Sequence, residues 1–245
     1  MLLERSCFIF DLDGTLIDSL GVWSQVDMEL VSRLTGGRVS ITEDDACALR
    51  TNAMRLYGEG SESYVKYMAD LKRLYGLPGT PEAIHHDRYE LAQEFLRDRV
   101  RYRDGAAELI RRLHELGRPM AIATTTRRRN IEVYARRNAA MIAEAPLEDF
   151  FKMIVTRDDV ARVKPDPEAF LRILDALGAD PAECLVIEDA LPGMLGARAA
   201  GIDSVVITER HNDMPREELD RVALARFESP RAMLEALEAE IAARG

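Results

Sequence analysis

Cysteine is scarce in this 245-residue chain: Cys7, Cys47 and Cys184 are odd in number and lie far apart. No two have metal-ligand spacing, so they read as thiols of a reducing compartment, with Cys7 and Cys184 buried in apparent strands. Histidine is equally thin, four scattered residues, which argues against a zinc site. No apolar run approaches the roughly 18 residues that a membrane-spanning helix needs, and the opening Met-Leu-Leu-Glu-Arg meets charge at once. Basic residues are in deficit, 33 against 43 acidic ones, for a net charge of −10. That balance argues against a general affinity for nucleic acid or anionic membrane, although a local basic pocket for a small anion remains compatible with it. No internal repeat or low-complexity tract is present. The expectation is a soluble cytoplasmic protein.

Residues 7–16, Cys-Phe-Ile-Phe-Asp-Leu-Asp-Gly-Thr-Leu, carry the first chemistry. Four large apolar residues suit a strand buried on both faces of a parallel sheet, and ligands of such sheets collect beyond the carboxyl ends of the strands. Side chains two apart on extended backbone point the same way, so Asp11 and Asp13 would face one space. Two such charges about 4 Å apart repel by roughly 4 kcal/mol at an effective dielectric near 20, so a proton or a cation must intervene. A hard dication is the simplest answer, although the four residues Asp-Leu-Asp-Gly taken alone also suit a solvated turn.

Helical periodicity without a convincing strand fills residues 21–99, as in Val22, Val26, Leu30, Val31 and Leu34, and again in Tyr64, Tyr67, Met68, Leu71, Leu74 and Tyr75. From residue 104 strands and helices alternate. Strands are expected at Met120–Ala123, Met153–Val155, Leu185–Ile187 and Val205–Ile207, with a helix over 167–177, another ending near Ala200, and a closing helix after Pro230. Alternation of this kind is the signature of an α/β doubly wound parallel sheet. Because the first strand needs that sheet, the helical stretch is an insertion. The expected organisation is a discontinuous Rossmann-like core, residues 1–19 and 100–245, with an all-helical domain over 20–99 and a cleft where the two meet above the strand ends.

Other strand ends supply matching groups. Met120–Ala123 runs into Thr124-Thr125-Thr126, where hydroxyls and main-chain N–H groups can hold a phosphate oxygen. Lys164 precedes a helix for which Asp166 is the expected N-cap and Pro167 the first residue. Leu185–Ile187 runs into Glu188-Asp189. Magnesium requires near-octahedral oxygen ligands, which suits Asp11, Asp189 and the main-chain carbonyl of Asp13, with Glu188 binding directly or through water. Asp11 is the candidate phosphoryl acceptor and Asp13 the group that protonates the leaving oxygen and then activates water. Lys164, Thr124 and the metal would balance charge on the phosphoryl oxygens, with Thr125 as a further substrate contact.

Asp11-Leu-Asp13-Gly-Thr-Leu, Thr124, Lys164-Pro-Asp-Pro, and Glu188-Asp189 with Gly193 closely resemble, in order and across the whole core, the four motifs of the haloacid dehalogenase-like superfamily. The insert resembles the helical cap of the subgroup containing phosphoglycolate phosphatase-like enzymes and β-phosphoglucomutase. The resemblance implies magnesium-dependent phosphoryl transfer through an aspartyl-phosphate on Asp11, with the cap closing over the substrate. Dehalogenases lack the aspartate that stands here as Asp13, which favours a phosphate ester, and the expected function is hydrolysis of a small phosphomonoester metabolite. A sugar-phosphate mutase is the alternative, weakened because β-phosphoglucomutases carry a histidine where a rough alignment places Trp23. A non-catalytic phosphometabolite-binding protein is a further alternative, but loss of activity should leave gaps in the catalytic set and none is evident. A two-component receiver domain shares the Asp, Thr and Lys, but its acidic pair precedes the phosphorylated Asp and it lacks a helical insert. Arg50, Asn52 and Arg55 fall where relatives place a substrate-contacting loop, with Thr51 in place of its usual glycine. Arg50 is the expected contact, although all three also suit solvated helix positions. Arg127-Arg128-Arg129 could attract an anion or form a solvated face.

Overall fold

In a computed structural model that describes residues 1–58, 61–210 and 216–244, the opening apolar run forms strand β1 (Cys7–Phe10), whose four side chains are all buried. Burial on both faces is why it reads as a continuous apolar run and not as an alternating one. The chain divides into two compact units, Met1–Asp18 with Arg101–Gly245, and Ser19–Val100. The domain ranges expected from sequence also take in residues 59, 60, 211–215 and 245, which lie outside the described residues.

The unit Ser19–Val100 contains helices α1 (Val22–Leu34), α2 (Glu43–Tyr57), α3 (Ser61–Tyr75) and α4 (Pro81–Asp98). Their starts are written locally. Thr42 accepts the Asp45 N–H while Asp45 reaches back to the Thr42 N–H, a reciprocal cap, and Thr80 caps α4 ahead of Pro81 at its first position. The expected stripe of α1 is buried at Val22, Val26, Leu30 and Val31. In α3 the stripe is buried at Tyr67, Met68 and Leu71, but Leu74 in the last turn is exposed. Helix α1 packs on α2 and α4, and α3 packs on the same two.

The other unit holds β1 with β2 (Met120–Ala123), β3 (Met153–Val155), β4 (Cys184–Glu188), β5 (Asp203–Ile207) and β6 (Arg226–Phe227) in one sheet of order β3-β2-β1-β4-β5-β6, every pairing parallel. The doubly wound sheet expected from the sequence is the observed fold. Helices α5 (Ala106–Glu115), α6 (Arg128–Arg136), α7 (Ala139–Glu144), α8 (Leu147–Phe150), α9 (Glu168–Leu177), α10 (Leu191–Ala199), α11 (Arg216–Asp220) and α12 (Pro230–Ala242) complete the unit. On one face of the sheet Cys7, Ile9, Ala121, Ala123, Cys184 and Val186 pack against Phe170, Ile173 and Leu174 of α9 and Ala197 of α10. Small residues at 121 and 123 leave room for Phe170. Strand order reverses between β1 and β4, and a doubly wound sheet opens a binding crevice at such a switch point.

One local expectation is corrected. Helix α9 is bounded at Glu168 with Pro167 at the N-cap, one residue later than expected, while the Asp166 carboxylate still accepts the Glu168 N–H at 3.0 Å as the expected cap would. Among the described residues no helix is long and apolar enough to cross a membrane.

Candidate active site

Asp11 follows the last residue of β1, with its N–H donating to the Ile187 carbonyl of β4 at 2.9 Å. That pairing sets the ends of two adjacent strands side by side and brings Asp11 next to Glu188 and Asp189. Oxygens of Asp11, Glu188 and Asp189 all lie within 4.8 Å of one another, and all three residues are buried. Lys164 completes the cluster. Its Nζ donates to Asp11 Oδ1 at 2.6 Å, to the Ala123 carbonyl at 2.7 Å, and to Glu188 Oε1.

Burial is the dominant electrostatic fact here. It pushes Asp11 well above the usual carboxylate range; Lys164 opposes the shift, while Glu188 and Asp189 add to it. Burial, then the neighbouring Glu188, push Asp189 up to about 7. Lys164 is held above its ordinary value although burial works against its charge, because Asp11 and Glu188 flank it. Three buried carboxylates against one ammonium leave an excess of negative charge that an oxygen-preferring cation would satisfy.

Asp13 is turned elsewhere. Its carboxylate accepts Thr126 Oγ1 at 2.6 Å and Thr124 Oγ1 at 3.4 Å, and it raises the pKa of buried Tyr134, whose shift comes first from burial. The chain leaves this position through Gly14, whose φ of 85° is strained for any residue with a side chain. Thr15 then donates to Asp189 Oδ1 at 3.2 Å.

Of the residues singled out from sequence, Asp11, Lys164, Glu188 and Asp189 come together, while Asp13 and Thr124 meet beside them. Thr125 is exposed, and it is Thr126 that shares Asp13 with Thr124. The expectation that Asp11 and Asp13 face one space is corrected: β1 ends at Phe10 and the chain turns from Gly14, while residues 125 and 126 form a bend, so the alternation of extended backbone does not carry past the strand ends and the sequence did not single out Thr126 over Thr125. Thr15 was visible in the opening motif, but its contact depends on the register of β1 against β4. In the helical unit Arg50 donates to Asp27 Oδ2 and Ser24 Oγ, each at 3.3 Å. Asn52 and Arg55 are exposed and bonded to each other at 3.0 Å. Arg127 and Arg128 pair with Asp158 and Asp159. Trp23 lies 5.5 Å from the Arg88 guanidinium.

A doubly wound parallel sheet with a buried carboxylate cluster at its switch point defines an α/β protein with a site suited to a cation, and the comparisons make the class specific. A family model described as haloacid dehalogenase-like hydrolase matches residues 6–201, so the chain belongs to that family. It is similar to protein CbbY of Rhodobacter capsulatus, 34% identical over 211 residues that cover 84% of this chain and 86% of the relative. It is also similar to validoxylamine A 7'-phosphate phosphatase of Streptomyces hygroscopicus subsp. limoneus, 30% identical over 86% of this chain and 90% of that protein. Among solved structures, a candidate beta-phosphoglucomutase from Thermotoga maritima superposes with a TM-score of 0.76 over 96% of this chain and 99% of that one; at 23% identity this is a likeness of fold.

Proposed function

We propose that the chain is a magnesium-dependent phosphatase that hydrolyses a small phosphomonoester through an aspartyl-phosphate on Asp11. The observation that carries this reading is the convergence of buried Asp11, Glu188 and Asp189 at the switch point, the first two paired with Lys164. An oxygen of Asp11 attacks phosphorus as the bond to the ester oxygen breaks, and Asp13 delivers a proton to that oxygen. Water then attacks the phosphorus of the acyl-phosphate and Asp13 takes up its proton. The bond to Asp11 breaks, phosphate leaves and the carboxylate is restored. Lys164 and the Thr124 hydroxyl face the phosphoryl oxygens, with Thr125 as a further contact.

Asp11, Glu188 and Asp189, with the Asp13 main-chain carbonyl, form an all-oxygen set suited to Mg2+. When bound, the ion supplies positive charge against the oxygens of the transferring phosphoryl group. Arg50 is proposed to offer the substrate a cation from the helical unit, its guanidinium oriented by Asp27 and Ser24. The substrate is a phosphorylated metabolite and not a nucleic acid, in keeping with the net charge of −10. Three free thiols support a reducing, cytoplasmic setting.

A phosphatase name among the sequence relatives favours hydrolysis over the mutase alternative. The unbroken set Asp11, Asp13, Thr124, Lys164, Glu188 and Asp189 argues against a binding protein without activity. The test is a panel of phosphorylated metabolites, scored with and without Mg2+ for free phosphate and for isomerised product. Mg2+-dependent phosphate release is expected, and Asp11→Asn should lower kcat on the order of 10³-fold or more while the fold persists. An Asp11→Asn enzyme with near-normal turnover would overturn the nucleophile assignment.

A further inference from the structure

Arg103 belongs to none of the motifs above, yet its guanidinium is committed to the turn that carries them. Nη1 donates to the Gly14 carbonyl, in the second peptide after Asp13, and Nη2 donates to the Thr208 carbonyl just beyond β5 at 2.6 Å. Its main-chain N–H donates to the Leu16 carbonyl at 2.9 Å, and the Asp18 N–H donates to Arg101 at 3.0 Å, so residues 101–103 lie antiparallel to 16–18. The side chain is largely buried and Glu209, almost wholly buried, faces Nη1 at 3.4 Å. Two main-chain carbonyls from distant parts of the sequence are thus held by one planar fork, a geometry that lysine cannot reproduce.

We infer that Arg103 is a positioning residue for the proton transfer: by holding the Gly14 carbonyl it steadies the turn from which the Asp13 carboxyl projects. The threonines restrain that carboxylate from one side, through the hydroxyls of Thr124 and Thr126. Backbone rotation about Asp13 and Gly14 is restrained from the other side by Arg103. Gly14 has no side chain to hinder such rotation; its N–H is held within the turn by the Ile17 carbonyl at 3.0 Å, and Arg103 holds the other end of the residue, its carbonyl. Arg103 itself exchanges no proton. The proton passes from Asp13 to the ester oxygen as the phosphorus–oxygen bond breaks, and the clamp sets how well the two are aligned.

This inference rests on the proton role given to Asp13, and the experiment separates the two. An alkyl phosphate leaves as an alkoxide and needs that proton, whereas p-nitrophenyl phosphate leaves as a stabilised phenolate and hardly does. In the Mg2+-loaded full-length protein, Arg103→Ala should lower kcat/KM for an alkyl phosphate at least tenfold more than for p-nitrophenyl phosphate. Arg103→Lys should fall between it and the parent. A loss of packing alone would lower both substrates alike, so an unchanged ratio in folded variants overturns the inference. If Arg103→Ala does not fold, the same ratio in Arg103→Lys decides. Asp13→Asn is the companion: it should collapse the ratio further, and if it does not, the role given to Asp13 fails in its own right.

Discussion

Gly193 shows how closely the carboxylate cluster is built. A Cβ placed there would lie 1.7 Å from Glu188 Oε1 and 2.0 Å from its Cδ, whereas its backbone has no need of glycine's freedom. Alanine would favour helix α10 by roughly 1 kcal/mol in an open setting, so the glycine is explained by the carboxylate and not by the helix. Glu188 cannot simply step aside, since it is buried, accepts the Lys164 ammonium and receives the Asp189 N–H at 3.3 Å. Gly193→Ala is therefore expected to raise the Mg2+ concentration for half-maximal activity about tenfold, with an overpacking cost of about 1–3 kcal/mol in stability. A magnesium titration of the folded variant checks this, and an unchanged half-saturation would mean that Glu188 contributes nothing to metal affinity. The same scale separates the opening acids. Asp11 faces an ammonium and two carboxylates, whereas Asp13 faces two hydroxyls, so the two acids that the proposal gives different roles stand in different surroundings.

A strand buried along its whole length, such as β2, announces itself, and both β2 and the partly buried edge strand β3 were legible from sequence to the residue because their apolar runs end in threonines. Strand β6 was not, since two residues including Arg226 leave no run to see, and the short helices α7, α8 and α11 have too few turns to show a period. Candidate residues at strand ends were legible for the same reason as the strands. Arg103 and Thr15 were not, because their partners are set by how β1, β4 and β5 lie side by side. Asp27 was invisible for a related cause. Within α1 it reads as one more helical charge, yet it is fully buried and receives Arg88 Nε of α4 at 2.5 Å, Tyr67 of α3 at 3.0 Å and Arg50 of α2 at 3.3 Å. One carboxylate ties four helices. Removing it strands a buried guanidinium, so Asp27→Asn should destabilise the protein by about 3–5 kcal/mol. Urea unfolding measures this, and Asp27→Asn combined with Arg88→Met should lose less than the two single losses added. A loss under about 1 kcal/mol for Asp27→Asn would show that the arginines find other partners.

At the scale of the chain, the proposed metal ligands come from both pieces of a discontinuous unit: Asp11 from Met1–Asp18, Glu188 and Asp189 from Arg101–Gly245. An ion held by all three links the two pieces, so its binding free energy adds to the stability of the sheet. At a hundredfold excess over its Kd, Mg2+ should stabilise the protein by about 2.7 kcal/mol. A net charge of −10 makes a control necessary, because any added salt screens self-repulsion and stabilises without a site. The comparison is therefore made at matched ionic strength with NaCl. Thermal unfolding should show a rise with Mg2+ beyond that of NaCl, and hydrogen exchange should slow at the amides of β1 and β4. Asp189→Asn should remove the excess while keeping the response to salt. If Mg2+ and NaCl act alike at matched ionic strength and β1 and β4 gain no protection, the cluster holds no ion and its excess charge must be relieved by protons, the outcome that burial of Asp11 and Asp189 already favours in the absence of a cation.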